Sequence, residues 1–226
     1  MSLQVIEHFC SIQGEGKDIG ERVAFIRFAG CNLECHYCDE KETWSEEKGR
    51  TINSSGLQRE LQVENYQVST VVLTGGEPLY QSHDDLIRFC RFLKNVGQRI
   101  VVETNGTIIP PVELVKFVDQ WNVSPKYKEG FDKQNMASWS NIIPHNNVQF
   151  KWVVEEKEDI ETISELCRLV DDHEEVDWTF QPEFSKTEEI LKDLPEWVDS
   201  YMTPTARSSD CNVRFIPQVH KLIGIK

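Results

Sequence analysis

Short β-rich runs alternate with helical patterns along nearly the whole chain, and no other feature restricts the possible folds as much. The runs are VAFIRFAG (23–30), STVVLTGG (69–76), QRIVVET (98–104), WNVSPK (121–126), VQFKWVVE (148–155), DWTFQPEF (177–184) and NVRFIPQVH (212–220). A helix is predicted over 54–64, capped by Ser54 or Ser55. Another covers 83–97, with Leu86, Ile87, Cys90 and Leu93 on one face and Gly97 as its stop. Residues 110–120 open with prolines, as helices often do. The stretch 157–172 sets Ile160, Ile163, Cys167 and Val170 on one side, and 186–201 is helical but interrupted by Pro195. Segment 127–147 is polar, has no period and reads as a loop. Repeated strand–helix units imply parallel strands joined by right-handed crossovers. About six units fit, fewer than the eight of a closed barrel. The expectation is an α/β fold, a partial, open parallel barrel forming a single domain over residues 1–226. Its crossover helix after the fourth core strand is expected to be missing. Conspicuous motifs follow the strand ends, the edge where such folds bind ligands.

Composition narrows the function classes. The chain has 226 residues, 39% hydrophobic and 27% charged, enough for one sizeable core. The net charge of −14 argues against direct nucleic-acid binding, which calls for a basic footprint. An anionic ligand would need local cations or a metal. No run approaches the roughly 18 apolar residues of a membrane helix. The start, MSLQVIEHFC, lacks a basic region and an apolar core, so a cytoplasmic protein is expected.

Seven cysteines stand at positions 10, 31, 35, 38, 90, 167 and 211. An odd number in such a chain is a poor disulfide framework. Cys90 and Cys167 fall on apolar helix faces and are expected in the core. Cys10 and Cys211 flank motifs and stay unassigned. Cys31, Cys35 and Cys38 form C-x3-C-x2-C. Thiolates suit iron–sulfur clusters, zinc or Cu(I). With His36 or a distant cysteine as fourth ligand, the three would make a zinc site. Alone, they would hold a cuboidal four-iron cluster with one iron left for a small molecule. His36 sits beside Cys35, where closing a tetrahedron is awkward. That favours the open cluster and leaves His36 a solvated loop residue. A second motif, LTGGEP (73–78), ends a strand in two glycines, which allow close backbone approach. Glu77 within it can accept from an ammonium, although GGEP alone is also an ordinary turn. Arg27 lies on an apolar strand, where an unpaired charge would be costly. It is suited to bidentate binding of a carboxylate.

The cysteine spacing followed by GGEP resembles the radical S-adenosylmethionine (SAM) enzymes. The ordered set SIQGEG (11–16), AFIRFAGCNLECHYCDEKETW, VETNGT (102–107), VSPK (123–126), QPE (181–183) and PQVHK (217–221) resembles their 7-carboxy-7-deazaguanine synthase family over nearly the whole chain. That resemblance implies a cluster loop after the first core strand. It implies a 4Fe-4S cluster on Cys31, Cys35 and Cys38 whose open iron is chelated by SAM, which the reduced cluster cleaves to a radical. The reaction implied is ring contraction of 6-carboxy-5,6,7,8-tetrahydropterin to 7-carboxy-7-deazaguanine with loss of ammonia, in queuosine and 7-deazapurine biosynthesis. Tyr37, Cys38, Asp39, Gly76, Glu77, Ser124, Pro125, Lys126 and Gln181 are then expected around SAM. Ile12, Gln13, Gly14, Glu15, Arg27, Thr74 and His220 are expected around the pterin. Arg27 would clamp the substrate carboxylate, Glu15 would meet the guanidine-like edge, and these two are the candidate catalytic residues. The C-terminal segment 212–226, with His220 and Lys221, would fold near the substrate. The family commonly has a magnesium-ligating threonine where this chain has Glu40, so Glu40 is the candidate Mg2+ ligand. A flavodoxin-type electron donor and a homodimer are implied as well. Two other readings compete: a radical SAM activase of a glycyl radical enzyme, and a non-catalytic zinc or iron–sulfur binding module.

Overall fold

The computed structural model describes residues 2–64, 66–143, 147–170, 176–202 and 212–225. Its strands are β1 (Leu3–Ile12), β2 (Arg22–Phe28), β3 (Arg50–Ile52), β4 (Thr70–Gly75), β5 (Arg99–Thr104), β6 (Gln120–Val123), β7 (Asn147–Val154), β8 (Val176–Pro182) and β9 (Asn212–Phe215). They form one sheet in the order β3-β1-β2-β4-β5-β6-β7-β8-β9. From β2 to β9 every neighbouring pair is parallel. Only β1 and β3 run antiparallel to their neighbours. Among the described residues the sheet does not close, and β3 and β9 are its edges. The open parallel barrel expected from the strand–helix alternation is therefore present.

The crossovers are α1 (Ser54–Glu64), α2 (His83–Asn95), α3 (Val112–Val115), α4 (Lys133–Ser140), α5 (Asp159–Cys167), α6 (Thr187–Ile190) and α7 (Leu194–Met202). Helix α2 buries Leu86, Phe89, Cys90 and Leu93 at helical spacing, and α5 buries Ile160, Ile163 and Cys167. Cys90 and Cys167 are core residues, 0% and 1% exposed. Between helices and sheet lie four fully buried tryptophans, 121, 139, 152 and 178. A smaller apolar group of Val23, Phe25, Val72 and Val101 lines the other face of the sheet, with Phe9 against it.

Several elements correct the sequence reading. The crossover after the fourth core strand is shortened rather than missing: α4 makes two turns there. Asp132 caps it, its side chain accepting from the amides of Gln134 (2.8 Å) and Asn135 (3.0 Å). Buried Trp139 anchors it by donating Nε1–H to the Gly106 carbonyl at 2.8 Å. Two turns carrying only Met136 and Trp139 as buried residues are too short to display a period. Helix α1 is capped by Asn53, whose Oδ1 accepts from the Gly56 amide at 2.8 Å, not by Ser54 or Ser55. The helix read over 110–120 is one turn, α3. Pro195 is the second residue of α7, where its missing N–H costs nothing, so it begins a helix instead of interrupting one. The last strand ends at Phe215, and His220 and Lys221 lie on a further helix, α8 (Val219–Ile223). Cys211 lies outside the described residues.

Candidate active site

The site begins with the two glycines that end β4. Gly75 has φ +113°, a backbone conformation that favours glycine. A Cβ on Gly76 would stand 2.2 Å from the Gly30 carbonyl oxygen. This closeness lets Gly76 N–H donate to Phe28 O (2.9 Å) and Glu77 N–H to Gly30 O (2.8 Å). Gly30 N–H donates to Thr43 O (2.8 Å) and Cys31 N–H to Trp44 O (3.1 Å). The loop carrying the three cysteines is thus tied at both ends beside β4. Glu77 is fully buried. It accepts from Thr104 Oγ1 (2.8 Å), the Leu79 amide (2.9 Å) and the Asn105 amide (2.7 Å). Burial pushes its carboxyl up to about 7 against the pull of these donors. Glu77 joins the ends of β4 and β5 and stands behind the cavity wall, where the sequence reading had put it against SAM.

Cys31, Cys35 and Cys38 all line one cavity of about 240 Å³ at the C-terminal ends of the parallel strands. Burial raises the thiol of Cys35 to about 11 and raises that of Cys31, so a metal must displace their protons. Among the described residues no three His, Cys, Asp or Glu side chains converge on a point that one metal ion could occupy. A cuboidal cluster meets each thiolate through a different iron, so three thiols around a shared space fit it better than mononuclear zinc. His36 is no fourth ligand. Its Nε2 lies 2.8 Å from Glu155 and its Nδ1 3.5 Å from Glu129, with the side chain 63% exposed.

The loop of residues 13–21 lies across the open barrel. Its ends pair, Gln13 N–H to Glu21 O and Gly20 N–H to Gln13 O, both 2.8 Å. Its side chains then reach three different strands. Gln13 donates to Glu103 on β5 at 2.9 Å. Glu15 pairs with Lys151 on β7, and Lys17 with Asp177 on β8 at 2.6 Å. Asp18 meets Arg99 on β5 at 3.1 Å. Burial works to raise the Glu15 carboxyl, but Lys151 and the Gln218 amide overcome it and hold it down at about 2. Glu103 also accepts from Thr74 Oγ1 at 2.8 Å. Gln13, Thr74 and Glu103 therefore make one linked polar edge.

Arg27 faces the same cavity from β2. Its NH1 is shared by Glu40 (2.8 Å) and Glu7 (3.1 Å), and its guanidinium lies 5.4 Å from the Phe9 ring centre. Burial raises the Glu40 carboxyl although Arg27 opposes it. Across the cavity, Lys126 Nζ donates to Ser124 Oγ at 3.0 Å and sits 5.3 Å from the Tyr37 ring centre. Among the described residues it has no carboxylate partner, and burial lowers its pKa; an anion bound beside it would favour its charged form again. Gln181 is 2% exposed and its Oε1 has no partner among the described residues.

The cavity is lined by Ile12, Gln13, Gly14, Glu15, Arg27, the three cysteines, Tyr37, Asp39, Glu40, Thr74, Gly76, Ser124, Lys126, Gln181 and His220. Of the residues expected around the two ligands, Glu77, Pro125 and Lys221 do not line it. The sequence reading missed Glu7, Glu103, Lys151 and Gln218. For Lys151 a signal was available: a lysine inside the apolar run VQFKWVVE invites the argument made for Arg27. Glu103, next to last in the apolar run of β5, carries the same signal. Gln218 has no such signal.

A family described as a 4Fe-4S single cluster domain matches residues 12–139. The 7-carboxy-7-deazaguanine synthase of Clostridium acetobutylicum is 30% identical over 99% of this chain and 96% of its own. That of Aquifex aeolicus is 33% identical over 97% and 93%. The synthase of Hyperthermus butylicus is 44% identical, over 48% of this chain and only 45% of its own length. The crystal structure of QueE from Escherichia coli has the same fold, with a TM-score of 0.73 over 97% of this chain and 95% of that one at 24% identity. Likeness to synthases over nearly the whole chain, in a protein whose cysteine loop and glycine pair open on one cavity, leads to a single assignment: the chain belongs to the 7-carboxy-7-deazaguanine synthase family of radical SAM enzymes.

Proposed function

We propose that this chain is a radical SAM lyase that contracts 6-carboxy-5,6,7,8-tetrahydropterin to 7-carboxy-7-deazaguanine with release of ammonia, in queuosine and 7-deazapurine biosynthesis. The observation that carries the reading is one cavity shared by three thiols and by a polar edge suited to a flat carboxylated heterocycle. Cys31, Cys35 and Cys38 would hold a 4Fe-4S cluster, which with SAM supplies a hydrogen-abstracting radical when both are bound. Arg27 binds the substrate carboxylate. Glu103 and the Gln13 amide meet the donors and acceptors of the pterin edge, and Thr74 holds Glu103 in place. Glu15 stays ionised beside Lys151 and fixes the loop that carries Gln13 and Gly14. Lys126 and Ser124 take the SAM carboxylate and ribose, Gln181 the adenosyl group, and Tyr37 lies along the adenine. Phe9 and Phe25 keep water from the substrate's side of the cavity. A cavity of about 240 Å³ suits a small molecule better than the protein segment that a glycyl-radical activase must admit.

Glu40 and Glu7 already share Arg27. A third carboxylate there calls for a cation, which supports Mg2+ at Glu40 as part of the proposal. A Glu40→Thr variant tests it: a changed magnesium response is expected, and an unchanged one removes Glu40 as a ligand. A flavodoxin-type donor, a homodimer, a single domain over 1–226 and a cytoplasmic location complete the proposal. Among the described residues no helix is long and apolar enough to cross a membrane.

The decisive assay is anaerobic. Reconstituted protein receives dithionite, SAM and 6-carboxytetrahydropterin, and 7-carboxy-7-deazaguanine is sought by mass spectrometry. Product that vanishes in Cys35→Ala is the expected result. SAM cleavage without product would refute the substrate, and a loaded cluster with neither would return the binding-module reading.

A further inference from the structure

Helix α8 is docked without burying any residue of its own. Leu222 and Ile223 are 57% and 55% exposed. Lys221 Nζ sits 5.0 Å from the Phe184 ring centre, and the hydrogen bonds and ion pair that hold the helix run to two different loops. Val219 N–H donates to Gly14 O at 3.0 Å. Just before the helix, Gln218 Nε2 donates to Glu15 Oε1 at 2.6 Å and reaches Asp39 Oδ2 at 3.5 Å. Lys221 Nζ pairs with Asp39 Oδ2 at 3.0 Å and donates to Gln218 Oε1 at 2.9 Å. Glu15 belongs to the loop proposed for the pterin, and Asp39 to the cysteine loop proposed for SAM. Glu15, Gln218, Lys221 and Asp39 thus form a continuous polar chain from one ligand's loop to the other's.

We propose that Gln218 and Lys221 are positioning residues that make binding of SAM and binding of the pterin interdependent through the docking of α8. The inference rests on the two-ligand reading above. The Lys221–Asp39 ion pair itself adds little stability, because Lys221 is 23% and Asp39 44% exposed. A helix with no buried side chain sits at the low end of local stability. Ordering it costs conformational entropy. Whichever ligand fixes its loop first bears that cost, and the second ligand meets a helix already in place. Such a device gives positive, reciprocal coupling without any contact between the ligands.

The test uses the reconstituted enzyme with its cluster left oxidised, so that nothing turns over. SAM binding is measured by calorimetry with and without saturating 6-carboxytetrahydropterin, and the reverse titration follows. In the wild type each ligand is expected to tighten the other on the order of tenfold, by the same factor in both directions. Hydrogen exchange of the α8 amides should slow with either ligand. Lys221→Met and Gln218→Leu should bring the factor close to one, while Lys221→Arg keeps it. Because Lys221 is partly exposed, Lys221→Met should leave the thermal midpoint nearly unmoved, a pattern that a merely structural role would not produce. Wild-type ligands that bind independently, or coupling that survives in Lys221→Met, overturn this proposal alone. A protein that binds neither ligand overturns the underlying reading and this one together.

Discussion

Replacing Lys151 by Met is the perturbation whose size follows most directly from the geometry. Lys151 and Glu15 are each 13% exposed and paired. Without the ammonium, Glu15 keeps, among the described residues, the Gln218 amide as its side-chain donor. The folded carboxyl stands at about 2 against an ordinary 4.5, and that difference corresponds to about 3 kcal/mol. Loss of one partner of a buried pair typically costs about 3–5 kcal/mol, which agrees. In a domain of this size the melting point should fall by roughly 6–12 °C. The sign with pH follows from the lowered value. The contribution is fully present above the unfolded value of 4.5 and disappears as pH falls through about 2. In the variant, burial raises the Glu15 carboxyl once Lys151 no longer opposes it, so the gap between wild type and variant should be widest at neutral pH, narrow as the variant's Glu15 takes up a proton in mild acid, and close in strong acid. Urea titrations followed by tryptophan fluorescence, with all proteins in the same metal state, measure it. The double variant Glu15→Gln/Lys151→Met should regain part of the loss, because no naked charge remains. A single variant within about 1 kcal/mol of wild type, or a double variant weaker than the single, would refute the reasoning.

Two further outcomes are expected. Gly76→Ala drives a Cβ into the Gly30 carbonyl; because backbone meets backbone, the cysteine loop cannot settle, and reconstituted iron and sulfide should fall to background. Thr104→Val removes a donor from buried Glu77 and should cost about 1–3 kcal/mol in the same urea assay, with the fold retained by circular dichroism.

Much of the architecture was readable because burial on both faces leaves parallel strands as plain apolar runs. VVL in β4 and IVV in β5 are examples. β1 was not readable. Its register shifts between Val5 and Glu7, which breaks the alternation that would betray a half-buried strand. α4 escaped because a capping residue and one tryptophan suffice to hold two turns. In the site, the cysteines, glycines and Arg27 were legible as local chemistry. Glu77 was legible as an important residue but not as a buried tie between strands, because its partners lie 27 and 28 positions away. Gln218 matters only through what it bridges, and bridging is a property of the fold.

The loop of residues 13–21 also sets an order of events. Its partners stand far along the chain: Gln13 and Glu103 are 90 residues apart, Glu15 and Lys151 136, Lys17 and Asp177 160, and Glu15 and Gln218 203. Contacts of such separation form late. A nascent chain that has emerged only through β6 already owns its three thiols and its glycine pair. It has no lysine for Glu15, no aspartate for Lys17 and no α8. The part of the molecule synthesised first is therefore the part completed last, and the candidate cavity is assembled only when the C-terminal third has left the ribosome.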